Sequence, residues 1–325
     1  MLKIFKIIII NLLILAALFL AAEVFCRLVK IPYKEREMPP ETHVCQFDPL
    51  LGWTYESNKE VNYKFGNPPR TVPLYFDQEG IRVPSAGYQF DLKKPSVLLA
   101  GCSFTMGHGV PYEESFAGQL AQDQAFPYQV VNLGVQAYGT DQSLLRLKQL
   151  IKKFNTKWVV YTFIDDHISR NGNYDRRMLY KKSIFPGTKP LFALDKNKEL
   201  CLVKNPLLYK NYFNSWFADT IQMRLGRLLG LFPPMPYDLT EALIREMKRV
   251  TEDAGARFVI VDWFIGGEKS YGFIQNLSGV DVIGTKDIFG TWDDRFRIKG
   301  DGHPNAVAHA LIAQKIKKYI NGLPK

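Results

Sequence analysis

Four short, continuously apolar runs constrain this chain more than any other feature: SVLLAG at 96–101, YQVVNLG at 128–134, KWVVYTF at 157–163 and RFVIVDW at 257–263. A strand with one wet face alternates polar and apolar residues. A run that is apolar at nearly every position fits a strand covered on both faces, as in a parallel sheet. Helical patterns stand between the runs. One follows Pro111 over 113–124, and a second spans 141–154 with leucines at 144, 145, 147 and 150 and Thr140 as its N-cap. A third covers 240–254 and stops at Gly255; a fourth covers 306–320 after Pro304-Asn305. Strand alternating with helix predicts an α/β domain with a doubly wound parallel sheet and right-handed crossovers. Sites in such sheets form outside the carboxyl ends of the strands. That edge holds Ser103, residues 132–138 and residues 165–167.

Two stretches depart from the alternation. Residues 27–94 are rich in Pro, Tyr and Asn and carry short alternating runs, VNYKF and TVPLYF, which read as a lead-in of short antiparallel strands rather than a separate domain. Residues 166–237 form a long insertion containing FPGTKP and LFPPMP. Loops of that length seldom lack structure of their own, so a lid or cap beside the site is expected. The 325 residues suffice for one large domain with additions, and 46% hydrophobic content excludes a disordered chain. Forty-two Lys and Arg against 32 acidic residues give a net charge of +10. That balance suits nucleic acid, anionic lipid or an acidic polymer. No helix-turn-helix pattern, zinc-finger spacing or RNP-like motif accompanies it, so no nucleic-acid partner is expected and most of the charge reads as solvated surface.

The N-terminus, Met1-Leu2-Lys3-Ile4-Phe5-Lys6 followed by IIIINLLILAALFLAA, presents roughly 19 apolar positions, about 28 Å as a helix, close to the hydrocarbon thickness of a bilayer. The residues before Glu23 make a poor small-x-small cleavage site, and Phe25 before Cys26 does not suit a lipoprotein site. Residues 1–26 therefore read as an uncleaved signal anchor. Lys3 and Lys6 favour a cytoplasmic N-terminus, with Arg27, Lys30 and Lys34 weighing against it. The body would then be periplasmic or extracellular. Cysteines 26, 45, 102 and 201 show no metal-type spacing; Cys45 and Cys201 are a candidate bridge in an oxidising compartment.

The first apolar run leads into GCSFTMGHGV. A phosphate loop needs Gly-x4-Gly-Lys-Ser/Thr and a nucleophile elbow needs Gly-x-Ser-x-Gly, and neither spacing is present. What remains is a serine on a tight turn at a helix entrance, which is either a helix cap or a nucleophile beside backbone N–H donors. A nucleophilic serine needs a base, and the base needs a carboxylate to hold its tautomer. GDGHPNAVAHALIA supplies both on one glycine-flanked loop, as Asp301 and His303.

Taken together, GCSFTMGHGV, NLGVQAYGTDQSLLRLK and DGHPNAVAHALIA resemble the SGNH, or GDSL-like, hydrolase family over roughly residues 96–323. The lead-in FDQEGIRVP resembles segments that precede this domain in membrane-anchored bacterial members. The resemblance implies a flavodoxin-like three-layer α/β/α sandwich over 95–325, hydrolysis or transfer at ester bonds of lipids or O-acylated carbohydrates, and no metal or organic cofactor. It implies Ser103 as nucleophile and His303 as general base, with Asp301 as the carboxylate. Members commonly place that acid three residues before the histidine, where Gly300 stands here, and Asp293 and Asp294 are the fallback candidates. The implied oxyanion hole takes the Ser103 backbone N–H and a backbone N–H at Ala137, with Gly139 nearby. Asp166 stands where the family has an asparagine, and Cys102 stands where it has an acidic residue, which makes Cys102 an alternative nucleophile.

An ionised carboxylate donates no hydrogen bond and repels an oxyanion. Asp166 is therefore expected to be neutral, or paired with Arg170 while His167 or Asn171 supplies the donor; otherwise the site is repurposed, for example toward acyl transfer. The expectation is a membrane-anchored esterase or O-acyltransferase acting on an acylated carbohydrate or lipid of the cell envelope or its surroundings. The alternatives are a catalytically silent envelope-binding protein and a metal-dependent phosphoesterase using Asp165, Asp166 and His167 with His303 as a remote ligand.

Overall fold

All four apolar runs enter one sheet. The computed structural model describes residues 2–29, 31, 44–176, 179, 185–209, 215–229 and 235–323. An N-terminal helix, α1 (Leu2–Val29), precedes the lead-in strands β1 (Cys45–Asp48), β2 (Gly52–Tyr55), β3 (Glu60–Phe65), β4 (Arg70–Phe76) and β5 (Arg82–Val83). The alternation then begins with β6 (Pro95–Ala100), α2 (Ser103–Met106), α3 (Phe116–Gln122), β7 (Gln129–Asn132), α4 (Thr140–Leu150) and β8 (Asn155–Phe163). The insertion contributes α5 (Asp166–Asn171), β9 (Leu191–Leu194), β10 (Leu200–Lys204) and α6 (Trp216–Leu228). The remainder holds α7 (Tyr237–Asp253), β11 (Arg257–Asp262), α8 (Glu268–Gln275), β12 (Val282–Gly284), α9 (Lys286–Phe289) and α10 (Ala306–Asn321).

The main sheet has eight strands in the order β12-β11-β8-β6-β7-β5-β4-β3. Its first five are parallel. Their order by appearance in the chain is the flavodoxin-like one, with the topological switch between β6 and β8. Residues on both faces of β6 and β8 are buried, among them Val97, Leu98, Leu99, Val159, Val160 and Tyr161. Helix α4 packs on α7 and α3 on α10, which gives the three-layer arrangement. Strands β5, β4 and β3 extend the same sheet antiparallel, joined to β7 where Arg82 faces Asn132. One apolar core therefore runs from Val44 in the lead-in to Ile320 in α10.

The lead-in also grips the loop after β7. Trp53 Nε1 donates to the Gln136 carbonyl at 3.0 Å, Gln136 N–H donates to the Tyr55 hydroxyl at 3.1 Å, and the Tyr138 hydroxyl donates to the Trp53 carbonyl at 2.6 Å.

Several local expectations shift. Gly139, not Thr140, is the N-cap of α4. Thr140 is the first helical residue, and its hydroxyl accepts from Tyr161 and Asn171 inside the core. The segment after Pro111 makes a single 3₁₀ turn, and Ser115 then caps α3 by accepting from Gly118 N–H at 3.1 Å. Cys45 and Cys201 are free thiols, each held within its own hairpin, and form no bridge. Lys30, Lys34 and the parts of the insertion at 177–178, 180–184, 210–214 and 230–234 lie outside the described residues.

Candidate active site

Strand β6 delivers Ser103 to the switch-point edge through a turn that a side chain at position 101 would block. Gly101 has φ +149°, and a Cβ there would meet the Thr105 and Thr162 side chains. Ser103 opens α2 and is only 3% exposed. The short helix stops at Gly107, which adopts a left-handed conformation with φ +83°. Two buried polar residues hold this turn from behind. Asn132, at the end of β7, donates to the Thr105 carbonyl at 2.9 Å and accepts from Gly134 N–H at 3.0 Å. Arg82, on lead-in strand β5, donates to the carbonyls of Met106, Gly107 and Val110 at 2.8, 2.6 and 2.7 Å. A buried guanidinium needs such acceptors in place of water.

The loop before α10 brings the second half of the site. Ile298 N–H donates to the His303 carbonyl at 2.7 Å, closing the loop on itself, and Trp292 Nε1 donates to the Gly302 carbonyl at 3.3 Å. His303 Nε2 lies 2.9 Å from Ser103 Oγ, and its Nδ1 makes a short contact with Asp301 Oδ1. Burial acts to raise the Asp301 pKa, but hydrogen bonds from His108 and His303 outweigh it and hold the carboxyl well below the usual carboxylate range. Asp301 is thus ionised, suited to holding the Nδ1–H tautomer of His303. This pairing leaves Nε2 to accept the Ser103 proton.

A second histidine shares that carboxylate. His108 lies between Gly107 and Gly109 on the turn that Arg82 braces, its Nε2 is 3.4 Å from Asp301 Oδ2, and its ring is 4.1 Å from that of His303. Burial pushes its pKa down to about 4, so it is neutral. Phe65 of β3 packs edge-on to it at 4.5 Å.

Across the cleft, the loop after β7 carries Ala137, a non-glycine residue with φ +57°. Two arginines from the insertion fix the carbonyls there. Arg176 Nε donates to the Ala137 carbonyl at 3.2 Å, and Arg170 donates to the Tyr138 carbonyl at 3.1 Å. Asp166 is paired with Arg170 at 2.8 Å, and its side chain is about half exposed. Gly139 N–H faces the Gln142 side chain at 3.4 Å. Behind the loop, Lys189 forms a fully buried ion pair with Asp141. Burial lowers the Lys189 pKa to about 8 against the pull of Asp141.

His167 and Asn171, expected as substitute donors, are both turned into the core. His167 Nδ1 lies 2.8 Å from the Tyr161 hydroxyl; Asn171 accepts from Thr140 N–H and donates to the Thr140 and Thr240 hydroxyls. Asn171 spends both amide hydrogens on these hydroxyls, and His167 is fully buried, with its Nε2 left without a partner inside the core. Asp165 caps α5 and contacts Asp166 N–H. Asp293 and Asp294 pair with Arg295 and Arg297 on the surface. Cys102 is buried, and it is Ser103 Oγ that His303 Nε2 meets, at 2.9 Å. The cluster Asp165-Asp166-His167 does not assemble with His303; among the described residues the close group of potential ligands is His108, Asp301 and His303. Two of those three already serve Ser103.

Arg82, His108, Arg176 and Lys189 were not singled out from the sequence. Only His108 had a local sign, the Gly-His-Gly step inside the serine block; the others act through long-range burial.

No protein-family model matches the chain, and a search of curated proteins finds no match. Among solved structures, the chain is similar to a lipolytic protein of the G-D-S-L family from Desulfitobacterium hafniense, at 13% identity and TM-score 0.40 over 69% of this chain and 98% of that one. It is similar to the psychrotrophic esterase EstA from Pseudoalteromonas sp., at 14% identity and TM-score 0.42 over 70% and 98% of the two chains. A lipase/acylhydrolase from Enterococcus faecalis is similar at 15% identity and TM-score 0.36 over 71% and 98%. These are distant similarities.

Proposed function

We propose that this chain is a membrane-anchored serine esterase of SGNH type. The observation that carries this reading is the chain of contacts from Ser103 Oγ to His303 Nε2 at 2.9 Å and from His303 Nδ1 to Asp301. In the proposed mechanism His303 takes the Ser103 proton as Oγ attacks the ester carbonyl, while Asp301 stabilises the imidazolium. His303 then gives that proton to the departing alkoxide, leaving Ser103 acylated. Water, deprotonated by His303, attacks the acyl carbonyl; the proton returns to Ser103 Oγ and the acid leaves. A sugar hydroxyl in place of water makes the second step a transfer.

The developing oxyanion is assigned to backbone N–H groups of Ser103 and Ala137. Asp166, held by Arg170, carries its charge in an ion pair at the rim. The proposed substrate is an O-acylated carbohydrate or lipid. Helix α1, whose Lys3–Val29 segment holds an 18-residue window of mean hydropathy 2.8, is the proposed anchor, with the body periplasmic or extracellular.

A fluorophosphonate probe is expected to label the wild-type chain and not Ser103→Ala. Hydrolysis of a short aryl ester should fall by ~10³-fold or more in the variant. Equal labelling of both chains overturns the assignment. Hydrolysis of an aryl phosphate that disappears with chelator would instead favour a metal-dependent phosphoesterase.

A further inference from the structure

The insertion makes a contact that catalysis does not require. Glu23, near the end of α1, caps α6: its carboxylate accepts from the Ser215 hydroxyl at 2.8 Å and from the N–H groups of Trp216 and Phe217 at 3.2 and 3.0 Å. Arg27 Nε donates to Glu23 at 2.6 Å, and its guanidinium lies 5.4 Å over the Trp216 ring. Phe19 meets Phe217 edge-on at 5.5 Å. These contacts hold the first turn of α6 against the end of α1.

Beyond that turn the apolar face continues without cover. Ile221, Leu225, Leu228 and Leu229 are 41, 51, 81 and 68% exposed. With Phe217 they fall within an arc of about 120° at 100° per residue, one stripe of the helix. The stripe begins on α1 and runs on past it. Arg224 is exposed and flanks the stripe, while Asp219 lies on the opposite side of the helix. An apolar stripe edged by a cation, starting at a Trp-Phe pair beside the end of an apolar span, has the features of an interfacial helix.

We propose that α6 is a second membrane contact, lying in the boundary between headgroups and acyl chains beside α1 and holding the catalytic body against the bilayer surface. This rests on α1 as a membrane span. The exposed leucines are then buried in lipid, and Arg224 reaches the headgroup phosphates.

The test uses the full-length chain in vesicles of phosphatidylethanolamine and phosphatidylglycerol at about 3:1, with brominated acyl chains as quencher. An NBD fluorophore is attached to single cysteines replacing Leu13, Leu225, Leu228 or Lys93, in a chain whose native cysteines are replaced by serine. Probes at 225 and 228 are expected to be quenched severalfold more than the probe at 93. Strong quenching at 13 with none at 225 and 228 overturns the α6 contact and leaves the anchor intact. No quenching at 13 removes the anchor itself, and the α6 contact with it. Self-quenching at 225 that rises with protein density, without bromolipid quenching, assigns the face to a second copy and overturns the proposal. In the chain with native cysteines, trypsin added to vesicles should spare Arg224 and should cut there in Leu228→Asp. Equal cutting in both chains counts against lipid cover.

Discussion

At the scale of single residues, His108 separates orientation from chemistry. Its backbone N–H donates to the Ser103 carbonyl at 3.0 Å, but its side chain sits on the far oxygen of Asp301, whose near oxygen holds His303. Removing it leaves the Ser103–His303 contact possible but frees the carboxylate to turn. His108→Leu is expected to lower kcat by about 10- to 100-fold with KM nearly unchanged, the penalty of a small misplacement of reacting groups. Glutamine can set an N–H donor near the position of Nε2, so His108→Gln should recover most of the rate. Leucine and glutamine variants that are equally impaired would show that packing, not the contact to Asp301, is what His108 supplies. Gly107 belongs to the same argument, because the left-handed turn there carries the next residue toward the carboxylate.

Among the elements, the insertion acts on the loop after β7 from behind. Arg170 and Arg176 hold two successive carbonyls, and Lys189 neutralises Asp141 at the start of α4. The Lys189–Asp141 pair is fully buried, so its halves are unequal to their sum. Lys189→Met leaves a buried carboxylate without its cation and is expected to cost about 3–5 kcal/mol in urea unfolding. Adding Asp141→Asn removes the stranded charge and should restore more than half of that loss. A double variant no better than the single would mean that Asp141 is paired by other groups, of which Arg176 is the nearest candidate by its electrostatic effect on Lys189.

For the whole molecule, buried neutral histidines set the response to acid. Burial holds His108 at about 4 and His309 at about 3, and pushes His167 well below the ordinary histidine value of 6.5. The unfolded chain binds protons at these side chains below about pH 6.5, while the folded chain does not until the depressed values are reached. Stability contributed by these residues is therefore complete above about pH 6.5 and is lost as pH falls toward 4. Asp262 acts oppositely: burial raises it to about 7, so its ionisation weakens the fold as pH rises toward neutrality. Burial also raises Asp77 and Asp165, in the same sense as Asp262, and the three depressed histidines are expected to outweigh these carboxyls, giving a net fall in the urea midpoint from about pH 6.5 to 4. His309→Gln should flatten the slope by up to about 1.4 kcal/mol per pH unit. A midpoint that holds or rises toward pH 4 would contradict this account.

The α/β class, the parallel strands and the candidates Ser103, Asp301 and His303 were legible because each depends on local pattern. Apolar runs report cover on both faces, and glycine-flanked polar residues report turns that expose a side chain. Asp301 was readable despite its departure from the family spacing, since a carboxylate two residues from a histidine on one tight loop can reach its ring. The tertiary structure alone decided the surroundings. His167 and Asn171 are polar residues beside the cleft in sequence, yet the buried hydroxyls of Tyr161, Thr140 and Thr240 claim them. Arg82 braces the Ser103 turn from a lead-in strand, and Glu23 caps a helix 192 positions away. Such partners are chosen by which buried donors and acceptors the packing leaves unsatisfied, and that pairing is a property of the assembled sheet and helices rather than of neighbouring residues.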